Sequence, residues 1–245
     1  GQLDDSAKGK LLQVDLGAHG IKDYGRLNQG SGMGGSDPPL ELIFNDDMMQ
    51  LARWPNSDFE LTASAPSNHE FGYSGTRPER WTAAPDMWVF GYWHWNYMDD
   101  YMEVASINTA TKVIAMPTDP VAGYGIIAGQ RWYAFNLIEE IDIPGEWYLD
   151  RGSGILYFWP PADLKKGTTL ISTLKSKVIE IKQASYITLR GMILEVGRAG
   201  GISVSGGNNN LVTECIIRHF GQHGVDITGT DNGVEDCEIY NIECG

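Results

Sequence analysis

The chain has 245 residues, 42% of them hydrophobic and 20% charged, enough apolar material for one large domain or two smaller ones. A formal charge of −14 sets it against the phosphates of nucleic acid, and against polyanionic glycans unless calcium or a local basic patch intervenes. No apolar run nears the roughly 20 residues of a membrane helix, and Gly1-Gln2-Leu3-Asp4-Asp5 does not open a signal peptide.

Residues 1–37 read as a flexible glycine-rich lead-in, with Gly30-Ser31-Gly32-Met33-Gly34-Gly35 as a mobile loop. A glycine run cradles phosphate only between a strand and a helix, and Ser36-Asp37-Pro38-Pro39 starts no helix. From Leu40 the chain turns β-rich. Leu40–Phe44 and Met48–Trp54 flank Asn45-Asp46-Asp47, a hairpin signal, while residues 57–86 read as loop. Trp88 to Tyr97 is the densest aromatic stretch. Met102–Ile107 and Lys112–Met116 form a second expected hairpin, and 136–141 a short helical turn. A last pair, 146–150 and 155–159, surrounds Arg151-Gly152-Ser153-Gly154. All eight tryptophans fall between Trp54 and Trp159, so residues 38–165 are expected to form an antiparallel, sandwich-like β-domain.

Residues 166–245 repeat. Ile179, Ile202 and Val225 are 23 residues apart, as are Ile181, Val204 and Ile227. Leu189, Val212 and Val234 follow, then Met192, Cys215 and Cys237, then Leu194, Ile217 and Ile239, at spacings of 23 and then 22. Short β-type segments at a fixed period predict a parallel solenoid whose equivalent inward residues stack about 4.8 Å apart. The polar turns, such as Gly206 to Asn210, supply residues that tolerate left-handed backbone. A leucine-rich repeat is set aside because no copy shows its leucine-and-asparagine signature. The fold class is therefore all-β. The column position of Cys215 and Cys237 makes them small core residues, although the spacing permits a disulfide between coils, and Cys244 has no assigned partner.

Leu51-Ala52-Arg53-Trp54-Pro55-Asn56, Gly91-Tyr92-Trp93, and Pro144 to Asp150 through Gly154-Ile155-Leu156-Tyr157 resemble bacterial right-handed parallel β-helix proteins that carry a β-sandwich-like domain near the N-terminus. That group includes glycoside hydrolases of the xylanase and fucosidase type. The resemblance spans about residues 38–245 and implies a secreted, periplasmic or cell-surface protein acting on a neutral or weakly charged plant or algal polysaccharide. Relatives in the group have a longer lead-in and many more coils. Asn96 stands where that group often has an acid, which argues against acid–base chemistry in the aromatic stretch. The uncapped last coil predicts a fragment of a longer chain, continued by further coils or by self-association at its edge.

Outward on the first strand of each copy stand Glu180, Ser203 and Asp226. His219 and His223 lie in the corner just before Asp226, so these three are the candidate catalytic residues, with another acid expected after Gly245. Trp93, Trp95 and Glu180 are the candidate substrate-binding residues; the two tryptophans share one face if their segment is a strand, and would stack on sugar rings. Each has a plainer reading: a solvated solenoid face, hydrogen-bonded corner histidines, a tryptophan core. Asp99-Asp100, Glu103, Glu139-Glu140 and Asp142 read as solvated loops. No metal site is expected; calcium is the one conceivable cofactor, without a ligand-spacing motif. A polysaccharide lyase and a non-catalytic glycan-binding or assembly protein are the alternatives to a hydrolase.

Overall fold

Strands, turns and short 3-10 segments make up the protein, whose computed structural model describes residues 3–27, 37–120 and 124–242. The glycine-rich loop of residues 30–35 and Cys244 lie outside the described residues. Contacts divide the chain into a unit of residues 1–35 and 49–166 and a unit of residues 36–48 and 167–245.

The first unit is built from antiparallel sheets. One runs in the order Leu12–Asp15, Ile155–Phe158, Glu146–Asp150, Gln50–Leu51, with only the last pair parallel. A second centres on Arg131–Phe135 and Trp88–Gly91. The third runs Ser106–Asn108, Val113–Ala115, Glu70–Gly72, Ser64–Ser67. The expected turn at 151–154 is made: the Asp150 carboxylate accepts the N–H groups of Gly152 and Ser153. Asn108 does the same for Ala110 and Thr111. The core is aromatic, with Trp54 against Trp81 at 5.5 Å and Trp132 at 6.0 Å, and Phe71 against Trp132 at 4.8 Å.

Three local expectations are corrected in this unit. Residues 12–15 are not flexible lead-in but an edge strand paired with Ile155–Phe158, a segment too short for its alternation to register in the sequence. Residues 64–72 are not loop but a hairpin, whose Pro66 is tolerated because its strand lies at the sheet edge. Glu139 and Glu140 are not solvated; both are buried. Arg77 donates to both oxygens of Glu140 at 3.0 and 2.9 Å, and the Trp81 indole donates at 2.6 Å. That pairing offsets the desolvation of the charge.

The second unit stacks three coils. Its sheets are Ile179–Lys182, Ile202–Ser205 and Val225–Ile227; Thr188–Arg190, Leu211–Thr213 and Gly233–Glu235; and Ile193–Gly197, Ile216–Phe220 and Glu238–Ile242. All are parallel, and Ile179↔Ile202↔Val225, Leu189↔Val212↔Val234 and Leu194↔Ile217↔Ile239 are in register as the period requires. Left-handed backbone recurs at the corners: Gln183, Gly206 and Gly229; Gly191, Glu214 and Asp236; Val196, His219 and Asn241. At one corner the buried Asn210 accepts the N–H of Ile187 at 3.1 Å and donates to Asn232 at 2.9 Å, so side chains satisfy the turning backbone. Cys215 and Cys237 are free thiols, and Met192, expected in their inward column, is exposed: it lies in the turn before Ile193–Gly197, the edge strand of its sheet.

Residues 36–48 belong to this unit. Leu42–Phe44 pairs with Thr169–Ile171, and the buried Arg198 donates to the Pro38 carbonyl and the Asp37 carboxylate, each at 2.7 Å. The expected hairpin is shorter than its sequence suggested: its second strand is Asp47–Met48 and does not run on to Trp54. Asn45 and Asp46 both have positive φ, 50° and 67°, the signature of a tight two-residue turn.

Candidate functional site

The candidates named from sequence fall on different surfaces. Glu180, Ser203 and Asp226 align across the first solenoid sheet, with Lys182 and Ser205 in the next row. Two cations occupy their carboxylates: Lys177 pairs with Asp226, and Lys182 with Glu180 at 2.9 Å. His219 lies on the third sheet, so the corner at 221–224 separates it from Asp226, and His223 is exposed on that corner.

His219 is buried inside a hydrogen-bonded clasp. Its Nε2 lies 2.9 Å from the Asp46 carbonyl and 3.1 Å from the Asn241 amide nitrogen. The carbonyl can only accept, so Nε2 carries the proton in that bond, and Nδ1 is buried without a partner. Burial lowers the pKa of the ring, favouring its neutral form. Trp93 and Trp95 do not share a face, because the strand ends at Gly91. Trp93 is 1% exposed and packs on Phe71, whereas Trp95 faces a surface cleft.

The constellation that the sequence did not disclose lies on the third sheet. Glu195, Arg218 and Tyr240 align in one outward row, one residue from each coil. Strand alternation turns Leu194 and Ile217 inward and this row outward. Arg218 donates through Nε to Glu195 at 2.8 Å and through Nη1 to the Tyr240 hydroxyl at 3.0 Å. Its Nη2 reaches Glu195 at 2.7 Å and Asp46, on the tight turn, at 3.2 Å. These hydrogen bonds, Tyr240 first and Glu195 next, raise the pKa of the guanidinium further. One nitrogen thus holds two carboxylates, whose bound oxygens can be no farther apart than 3.2 Å and 2.7 Å laid end to end. That limit is below the about 6.5–9.5 Å of inverting glycosidases and spans the about 5–5.5 Å of retaining ones. Asp46 lies some 150 residues before Glu195; the pairing of Leu42–Phe44 with Thr169–Ile171 and the bond from His219 to its carbonyl hold its turn at the sheet.

Residues 169–245 match the family described as "Right handed beta helix region". The solenoid is a right-handed β-helix. The β-helix and the unit before it together resemble a solved structure titled "Glycoside hydrolase", with a TM-score of 0.56 and 12% identity over 96% of this chain. The chain spans 57% of that protein's length, and at this identity the likeness shows the fold alone. No curated protein matches the chain by sequence. Among the described residues, no group of three or more His, Cys, Asp or Glu is placed to hold a metal ion, and no helix is long and apolar enough to cross a membrane.

Proposed function

We propose that the protein is a glycoside hydrolase, or the part of one that begins its β-helix, and that it cleaves a neutral or weakly charged polysaccharide at Asp46 and Glu195. The carrying observation is the convergence of these two carboxylates on Arg218, which keeps their bound oxygens closer together than inverting glycosidases need. In such a reaction one carboxyl protonates the glycosidic oxygen while the other attacks the anomeric carbon. Water then releases the sugar as the first group takes its proton back. Arg218 orients both carboxylates through charge-assisted hydrogen bonds, and Tyr240 accepts from the guanidinium through Nη1. A polymer substrate cannot cross a membrane, so this reading goes with a secreted or surface-exposed protein.

One observation favours a second reading, a non-catalytic glycan-binding β-helix. Both carboxylates are paired to the same cation, an arrangement that a purely structural or binding role explains equally well. Reducing-end release from xylan, β-glucan and galactan separates the two. Hydrolysis predicts turnover that falls at least about a thousandfold in Glu195→Gln and in Asp46→Asn. Turnover that survives Glu195→Gln would remove this pair from the chemistry. Absence of turnover on all three would favour the binding reading.

A further inference from the structure

We propose that Trp95, Tyr97 and Tyr124 form a second carbohydrate site, a platform in the first unit that stacks on a pyranose ring of a neutral glycan. Tyr97 is 80% exposed and Tyr124 54%, unusual for side chains that gain most by burial. Trp95 and Tyr97 lie parallel, 9° between planes with centroids 5.8 Å apart. Tyr124 meets Trp95 edge-on at 4.3 Å, and His94 packs against Trp95 at 4.6 Å. Trp95, Tyr124, His94 and Met98 line one cleft.

The platform is held rigid from below. Trp93 is buried against Phe71 at 5.3 Å, and its indole donates to the Asp100 carbonyl at 3.2 Å. Its ring lies so close to Gly91 that a Cβ there would come within 2.8 Å of it, so the glycine makes room. Gln130 donates to the His94 carbonyl at 2.6 Å, and the Met98 N–H bonds the Trp95 carbonyl at 3.2 Å. A ring surface fixed before binding loses little entropy on binding.

The chemistry of the platform selects its occupant. An aromatic face attracts the C–H face of a sugar ring, and the phenolic hydroxyls and the imidazole offer hydrogen bonds to its edge. Asp99 and Asp100 follow Trp95 and Tyr97 closely in the chain, so a uronate would meet like charge while a neutral pyranose would not. The platform does not depend on the hydrolytic reading, because it serves a binding protein equally well.

Affinity electrophoresis of the full chain through xylan, β-glucan, galactan and, as the anionic control, alginate tests it. The Glu195→Gln background keeps substrates intact, so loss of hydrolysis and loss of binding are read separately. At least one neutral polymer should retard the protein. Trp95→Ala and Tyr97→Ala should each weaken that retardation about fivefold to tenfold. Tyr186→Asn, which removes an aromatic side chain 78% exposed on the β-helix, should leave it unchanged. Failure of every neutral polymer to retard the protein overturns the proposal. So does retardation by alginate alone, or retardation indifferent to Trp95 and Tyr97. A single melting transition matching that of the parent chain shows that the variants are folded.

Discussion

In the β-helix each inward column is filled by residues in register, Ile179 over Ile202 over Val225, and every coil meets its neighbour through the same kind of contact. The first unit has no such redundancy. Its interior is assembled once, from Trp54, Trp81, Trp93 and Trp132 and from the buried carboxylates of Glu140 and Glu146, each with its own partners. The solenoid shares its load among equivalent contacts, as stacked repeats do, while the first unit concentrates it in single ones. Substitutions in the two units should therefore differ in kind as well as size.

The largest gap is expected between two arginines. Arg77→Ala removes the closest cation from the buried Glu140 carboxylate and should cost about 3–5 kcal/mol in denaturant unfolding. Arg190→Ala breaks the exposed pair with Glu214 in the β-helix and should leave the unfolding midpoint where it is. Equal losses from the two would erase the contrast between the units.

The pH dependence should have opposite signs in the two units. Glu146 is buried, and despite accepting the Asp142 N–H at 2.9 Å its pKa is raised to about 7. A pKa raised on folding stabilises the protein fully below the ordinary carboxyl value near 4.5, and that contribution is lost as pH rises through 7. His219 has its pKa lowered, so its contribution is complete above about 6.5 and lost as pH falls. Glu146→Gln should stabilise the protein at pH 8 by on the order of 3 kcal/mol and flatten its profile between pH 5 and 8. His219→Gln should remove the weakening on the acid side instead. Melts across pH 4–9 check both, and a profile unchanged by Glu146→Gln would show that this carboxyl titrates normally.

Next in size is a corner of the β-helix. Gly207 has φ of 70°, and a Cβ there would collide with the Ala184 carbonyl of the coil below. Gly207→Ala should cost about 2 kcal/mol, and hydrogen exchange should rise at Tyr186 to Asn210 while the first unit keeps its protection. A small effect on stability is expected at the proposed catalytic pair too. Asp46→Asn alters an exposed ion pair and should change stability by about 0–1 kcal/mol, so a large rate loss with an unchanged melt would separate chemistry from folding.

The β-helix was legible because its code is periodic: one subtraction of 23 from Ile202 or Val225 finds the stacked partner. The tight turn at Asn45-Asp46 and the hairpin around Arg151 to Gly154 were legible from turn chemistry alone. The site was not. Asp226 and Glu180 follow from outward alternation on the first sheet, and His219 and His223 from the corner beside Asp226; the alternation rule applies equally to Glu195 and Arg218 on the third sheet. The outward row Glu195, Arg218, Tyr240 carried a readable signal at spacings of 23 and 22, but the residues differ in type and so did not register as a column. Nothing in the sequence pointed to Asp46 as their partner.

By itself the sequence determined the solenoid, its register and its corners, because these follow from local alternation and from repeats that report their own neighbours. It also determined that the tryptophans form a separate region. Tertiary structure alone decided which side chains meet across long separations: Asp46 with Arg218, Arg77 with Glu140, Trp93 inward while Trp95 faces out. Each such contact is made once, by chain segments whose approach depends on packing of the whole unit. A non-repeating, non-local contact leaves no period in the sequence from which it could be read.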